Sequence, residues 1–157
     1  MLPLQQVLNA WIKPALDYLP SELNTPARRQ MVLGIGVVET AYSAMWQDGG
    51  PALSFWQIQP NTWHDIQVNY LIYRPKLSDS IKKLLKYSEE SIDLLTQCPR
   101  YAALLCALIV YRSPLALPEY NDSEAQARFW LEGYNCGGAG TMQRALPCFK
   151  SVQNLGA

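Results

Sequence analysis

Charged residues, histidine and basic clusters are scarce in this sequence. Its 157 residues include 13 Lys and Arg, 13 Asp and Glu and one histidine, so the formal net charge is zero. No basic run is longer than a pair such as Lys82-Lys83, which leaves no electrostatic footprint for a nucleic acid. We therefore expect no nucleic-acid partner.

Long apolar runs and a leader-like N-terminus are also missing. The most apolar window, residues 101–111, has about half of the ~20 residues that a bilayer span needs. We expect a buried helix there and no membrane span. The first 14 residues show no basic segment followed by an apolar core and a small-residue cleavage site, so we expect no signal peptide.

The four cysteines are not arranged as a metal or redox motif. Cys98, Cys106, Cys136 and Cys148 form no CxxC pair, and the single histidine adds no ligand spacing. We predict no metal site and no cofactor. Free thiols are the favoured interpretation, a disulfide stays open because the count is even, and Cys136, beside two glycines, is the thiol to test for reactivity.

What the sequence does contain is apolar residues at helical spacing. With 49% apolar residues over this length, we predict a single domain over residues 1–157. Thr25-Pro26 is a cap followed by a first-turn proline, and apolar residues cover nearly every face from Met31 to Tyr42, which indicates a central buried helix. Gly34 and Gly36 each cost that helix about 1 kcal/mol, so we expect another backbone to approach closely there.

The remaining segments predict a mainly α fold with a small extended or β region. Residues 47–60 combine turn residues with alternating apolar and polar positions, which fits a short strand or an extended loop. The other signals predict a helix that stops at Pro14, helices from Thr62, from Ser78 through Leu95 and after Pro99, a helix from a capping box at 121–124, and a Thr141-capped helix before Pro147.

Glu39 is an acid inside the apolar helix. An isolated buried carboxyl group holds its proton to a higher pH, which would make Glu39 a general acid. Alternatively, its side chain faces solvent or pairs with Arg28 or Arg29. The following stretch favours the first interpretation, because aromatic faces stack on sugars and amides bind hydroxyl groups; it contains Trp46, Phe55, Trp56, Gln57 and Trp63.

Three blocks in order, Val38-Glu39-Thr40, residues 54–62 (SFWQIQPNT) and residues 133–138 (GYNCGG), resemble the soluble lytic transglycosylase and lysozyme-like family. They are also similar to small lysozyme-like proteins of tailed phages. The resemblance implies a lysozyme-like fold in which Glu39 is the catalytic acid/base. It also implies a substrate cleft, for which we predict substrate-binding roles at Thr40, Trp56, Gln57, Tyr134 and Asn135. Thr40 stands where the family has serine, and Ser54 where it has glycine.

The resemblance implies cleavage of the MurNAc–GlcNAc β-1,4 bond of peptidoglycan with one carboxyl group. Glu39 would protonate the glycosidic oxygen, the substrate's N-acetyl group would stabilise the cation, and Glu39 would then deprotonate the C6 hydroxyl to close an anhydro ring. Hydrolysis, with water in place of the C6 hydroxyl, is the competing outcome. Ordinary glycoside hydrolysis uses two carboxylates, so a second acid is of interest. Asp48 fits a turn and Asp65 the first turn of a helix, so neither is a convincing nucleophile, and His64 fits a surface residue.

The resemblance also suggests a setting. We expect a phage-encoded protein whose partner is the peptidoglycan glycan strand, with other virion or tail proteins as further partners. It would start in the virion or the host cytoplasm and act in the host periplasm, either as a virion component or as an endolysin. The alternative is a non-catalytic structural virion or tail module that retains the fold, which the differences at Thr40 and Ser54 and the neutral charge would favour.

Overall fold

Helices make up most of the chain in the computed structural model, which describes residues 1–135 and 138–157. The α-helices are α1 Leu4–Val7, α2 Lys13–Leu16, α3 Pro26–Thr40, α4 Pro60–Asn69, α5 Pro75–Leu84, α6 Leu94–Gln97, α7 Pro99–Arg112, α8 Ser123–Phe129 and α9 Met142–Lys150. π-Helical turns cover Leu8–Ile12 and Trp130–Tyr134, and 3₁₀ turns cover Ser21–Leu23 and Leu71–Tyr73. The predicted mainly α class is confirmed.

Helix α7 is the centre of the fold. Its residues from Tyr101 to Leu108 are at most 1% exposed, and it packs against α2, α3, α5 and α6. Helix α9 packs on α8 and α3, and the buried apolar side chains of the described residues form one cluster from Val7 to Val152. Over residues 1–135 and 138–157, no helix combines the length and apolarity needed to cross a bilayer.

Proline and capping residues set the helix starts. The first residue of α3, α4, α5 and α7 is a proline, whose missing N–H needs no partner at that position. The predicted starts at Thr62 and Ser78 are therefore wrong, because α4 and α5 begin at Pro60 and Pro75. The predicted caps Thr25 and Thr141 are present, since each side chain accepts a hydrogen bond from the amide three residues on. In the predicted box at 121–124 the capping residue is Asp122 rather than Asn121, and its side chain accepts the amide of Ala125.

Two prolines lie inside helices that they were predicted to end. The π turn before Pro14 lets the amide of Lys13 bond the carbonyl of Leu8, five residues back. Pro14 has no N–H for the carbonyl of Ala10, and Arg100 Nε donates to that oxygen at 2.8 Å instead. Pro147 similarly lies within α9.

Helix α5 is shorter than its apolar stripe predicted. It ends at Leu84, and the backbone then reverses because Lys86 and Tyr87 both have positive φ angles, 53° and 61°. Leu95 consequently belongs to a separate one-turn helix, α6.

The two glycines of α3 make room for aromatic rings rather than for a backbone. A Cβ atom on Gly34 would lie 2.4 Å from the ring of Phe149 in α9. A Cβ atom on Gly36 would lie 2.1 Å from Cζ of Tyr42, whose hydroxyl donates to the carbonyl of Leu33 at 2.8 Å. The chain after α3 thus folds back along the helix, and this return fixes where α3 ends.

The segment after α3 is extended without forming a strand in the described chain. Leu53 makes isolated antiparallel bridges with Trp46 and with Ile58. These bridges fit the small extended region that the sequence predicts. Ser54 and Gln57 turn the backbone with φ angles of 74° and 51°. A left-handed conformation favours glycine, so Ser54 carries conformational strain.

Candidate active site

Five of the six predicted site residues line one cleft. Glu39 and Thr40 come from the last turn of α3, Gln57 from the extended segment, and Tyr134 and Asn135 from the end of the second π turn. The cleft has a volume of about 660 Å³, and its wall also includes Trp46, Asp48 and Arg144. The fold therefore collects residues from three distant parts of the sequence.

Glu39 is a desolvated carboxyl group at the wall of this cleft. Burial raises its pKa above the ordinary value, and the indole N–H of Trp130 and the charge of Arg144 counteract part of that rise. Trp130 Nε1 donates to Glu39 Oε2 at 3.0 Å. Among the described residues, Oε1 has no hydrogen-bond partner. One oxygen is thus held by the protein, and the other is available to a ligand.

The alternative pairing of Glu39 with Arg28 or Arg29 is not present. Arg29 donates to the carbonyl of Gly156 at 2.6 Å and to Asn24, whereas the guanidinium of Arg28 packs on the ring of Tyr111. Neither arginine lines the cleft.

Hydrogen bonds connect the three segments of the cleft. Thr40 Oγ1 donates to the carbonyl of Phe55 at 2.7 Å, which ties the end of α3 to the extended segment. Tyr134 donates its hydroxyl to the carbonyl of Trp56 at 2.6 Å, which ties the π turn to the same segment. Gln57 Nε2 donates to the carbonyl of Ser54 at 3.0 Å. Thr40 and Tyr134 therefore shape the cleft as well as line it.

Asn135 contributes an amide to the cleft wall. Its Nδ2 is buried and has no hydrogen-bond partner in the described structure. A ligand that accepts this N–H would remove the cost of the unsatisfied donor. The neighbouring Cys136 and Gly137 of the resemblance block lie outside the described residues.

The prediction that Trp56 binds substrate is wrong. Its side chain is 0% exposed, packs edge-on against Tyr42 and donates Nε1 to the carbonyl of Val32 at 3.0 Å. Trp46, by contrast, lines the cleft and has 65% of its surface exposed. Sequence alternation could not separate these two tryptophans, because Ser54 and Gln57 reverse the backbone on either side of Trp56.

The other carboxylates and the histidine differ in position. Asp48 is exposed and lines the cleft, so the cleft holds a second carboxylate besides Glu39. Asp65 lies outside this lining and pairs with Arg112 at 2.5 Å, and its bonds to Asn69 and Arg112 lower its pKa. His64 is exposed and lies outside the cleft lining, as predicted for a surface residue.

Two residues of the site were missed from the sequence, Trp130 and Arg144. Trp130 is fully buried and separated from Glu39 by 91 positions, so no local pattern pairs them. Arg144 had one local signal, since the Thr141 cap bonds its amide and so places it in the first turn of α9.

Cys98, Cys106 and Cys148 are free thiols, and Cys136 lies outside the described residues.

Comparisons of the chain with protein-family models, with curated proteins and with solved structures find no match. The functional assignment therefore rests on the residues of the cleft and on their geometry.

Proposed function

We propose that this protein cleaves the β-1,4 glycosidic bond between MurNAc and GlcNAc in peptidoglycan, with Glu39 as the single acid/base. The observation that carries the proposal is the state of Glu39. Its carboxyl group is desolvated, one oxygen is fixed by Trp130, and the other opens on a cleft with room for sugar rings. A raised pKa keeps a carboxyl group protonated closer to neutral pH, as a general acid requires.

The rest of the cleft supports a sugar substrate. Trp46 offers an exposed aromatic face on which the apolar face of a pyranose ring can stack. The amides of Gln57 and Asn135 offer donors and acceptors for hydroxyl and N-acetyl groups. An exposed aromatic face beside amide side chains suits a hydroxyl-rich sugar chain.

In the proposed reaction, Glu39 gives its proton to the glycosidic oxygen as the bond to C1 of MurNAc breaks. The N-acetyl group of that sugar stabilises the positive charge that develops at C1. Glu39, now ionised, takes the proton of the C6 hydroxyl group while the oxygen of that hydroxyl group forms a bond to C1. The product is a 1,6-anhydro sugar, and Glu39 returns to its protonated form.

Hydrolysis is the second candidate, and Asp48 is the observation in its favour. Two carboxylates in one cleft are the ordinary equipment of a glycoside hydrolase. Asp48 is exposed in the turn 47–50. The single-acid route needs no role for Asp48 and is therefore preferred.

The test is digestion of purified peptidoglycan by wild type, Glu39→Gln and Glu89→Gln, with mass spectrometry of the released muropeptides. Glu89 is an exposed glutamate outside the cleft, so Glu89→Gln is a matched control that should keep full activity. We expect anhydro ends from wild type and a loss of 100-fold or more in Glu39→Gln, roughly the scale of general acid catalysis. Reducing ends would indicate hydrolysis.

No release by folded wild type would contradict the proposal and leave the non-catalytic virion or tail module. A phage origin, the virion or host-cytoplasm starting point and action in the host periplasm stay predictions of the same proposal.

A further inference from the structure

Arg144 completes the hydrogen bonding at the end of α3. In a continuing helix the amide of Tyr42 would bond the carbonyl of Val38. The chain instead turns into the left-handed region at Ala41 and Tyr42, and the amide of Tyr42 donates to Thr40 Oγ1 at 3.2 Å. Arg144 Nη2 donates to the carbonyl of Val38 at 2.8 Å. A side chain of α9 thus bonds the carbonyl of the residue next to Glu39.

The same guanidinium packs on the residue that holds Glu39. Its Cζ lies 5.6 Å from the centre of the Trp130 ring, and Trp130 Nε1 donates to Glu39 Oε2. Helix α9 therefore reaches Glu39 by two routes, one through the backbone of α3 and one through the indole. The described ion pairs include no direct contact between Arg144 and Glu39.

Among the described residues of the cleft lining, Arg144 carries the only positive charge, because the other charged residues there, Glu39 and Asp48, are acids. The titratable groups near Glu39 on other elements are Cys106 of α7 and Tyr134 of the π turn. Burial raises the pKa of both, so both are neutral near pH 7. Arg144 is thus the positive charge that favours the ionised form of Glu39, although burial dominates the balance.

We propose that Arg144 is a positioning residue for Glu39: it fixes the end of α3 and the indole of Trp130, and its charge stabilises the carboxylate left after proton donation. The catalytic meaning of this inference rests on the proposed function, but its effect on Glu39 does not. An acid/base must ionise as well as donate, and burial alone would oppose ionisation.

The test follows the carboxyl group of Glu39 directly, by ¹³C NMR titration with the signal assigned from Glu39→Gln. Arg144→Gln retains an N–H donor for Val38 and removes the charge, whereas Arg144→Lys retains the charge and removes the planar group. Arg128→Gln is the matched control, since Arg128 is exposed and pairs with Glu124 outside the cleft.

We expect the titration midpoint of Glu39 to rise by about 0.5 to 1 pH unit in Arg144→Gln, to stay near wild type in Arg144→Lys, and to be unchanged in Arg128→Gln. An unchanged midpoint in folded Arg144→Gln would overturn the inference. If Arg144→Gln does not fold, Arg144→Lys carries the test: a severalfold loss in kcat with an unchanged KM supports positioning through the guanidinium plane, and an unchanged kcat overturns it.

The two proposals fail separately. A shifted midpoint in a protein whose wild type releases no muropeptides would leave Arg144 as the residue that sets the ionisation of Glu39 and would remove the enzymatic proposal. If the wild type is active and the titration midpoint of Glu39 is unchanged in Arg144→Gln, the enzymatic proposal stands and the positioning role of Arg144 is refuted. In an active protein, the alkaline limb of the pH–activity profile should move with the NMR midpoint.

Discussion

Replacing the proposed catalytic acid should stabilise the fold at neutral pH. Glutamine has nearly the shape of glutamate, and its amide oxygen can still accept the N–H of Trp130. Glu39→Gln therefore removes the desolvated charge and retains the hydrogen bond. A residue kept for chemistry at the expense of stability should behave in this way.

The sign follows from the direction of the pKa shift. The pKa of Glu39 is raised in the folded protein, so the folded state binds its proton more tightly than the unfolded state does. The resulting stabilisation is complete below the unfolded pKa of about 4.3 and is lost as the pH rises through the folded pKa. The wild type should thus lose stability relative to Glu39→Gln as the pH rises from about 4.3 through the folded pKa.

A single stabilising substitution commonly contributes about 0.5 to 2 kcal/mol, and we expect Glu39→Gln in the lower half of that range because Trp130 and Arg144 already favour the ionised carboxylate. For a chain of this size, that amounts to a rise in Tm of about 2 to 4 °C at pH 7. Urea and thermal unfolding of wild type, Glu39→Gln and the control Glu89→Gln from pH 4 to pH 8 measure it. A constant difference across this range, or a less stable Glu39→Gln at pH 7, would refute a desolvated Glu39.

Three further substitutions test the cleft and the helix end. Trp46→Ala should raise KM for glycan roughly 5- to 10-fold and leave Tm unchanged, because its exposed ring contributes stacking and not core packing; an unchanged KM would remove it from the binding surface. Asp48→Asn should keep kcat within about threefold and the anhydro product if Glu39 acts alone, whereas a 100-fold loss would assign Asp48 a catalytic role. Gly36→Ala should lower the free energy of unfolding in urea by about 1 to 3 kcal/mol, because the new Cβ meets the ring of Tyr42 at 2.1 Å; wild-type stability would mean that the ring moves freely.

Local signals predicted the helices well where a cap or a proline marked a boundary. Thr25, Asp122 and Thr141 cap helices through contacts three residues away, which a linear pattern contains. The predictions failed where a distant group changed the local outcome. Pro14 is tolerated within a helical segment because Arg100, far along the chain, bonds the carbonyl that Pro14 leaves unpaired.

The same distinction between local and distant contacts applies to the candidate site. Glu39, Gln57, Tyr134 and Asn135 could be proposed from short motifs, and all four line the cleft. The surroundings that control Glu39 could not be proposed, because Trp130 reaches it across 91 positions. The sequence thus predicted some of the residues that share the cleft. It could not predict the ionisation of Glu39, because that depends on contacts that only the fold creates.

The two differences from the pattern that the sequence resembles have a physical explanation in the fold. Ser54 adopts a φ of 74°, which costs a residue with a Cβ about 1 to 2 kcal/mol, yet its Oγ accepts the amide of Trp56 at 3.2 Å and offsets part of that strain. Thr40 keeps a hydroxyl, which donates to the carbonyl of Phe55 and so holds the extended segment against the end of α3. Thr40 thus connects the helix that carries Glu39 to the segment that carries Gln57, and Ser54 supports the turn within that segment. The differences at Thr40 and Ser54 therefore give no structural reason to prefer the non-catalytic module.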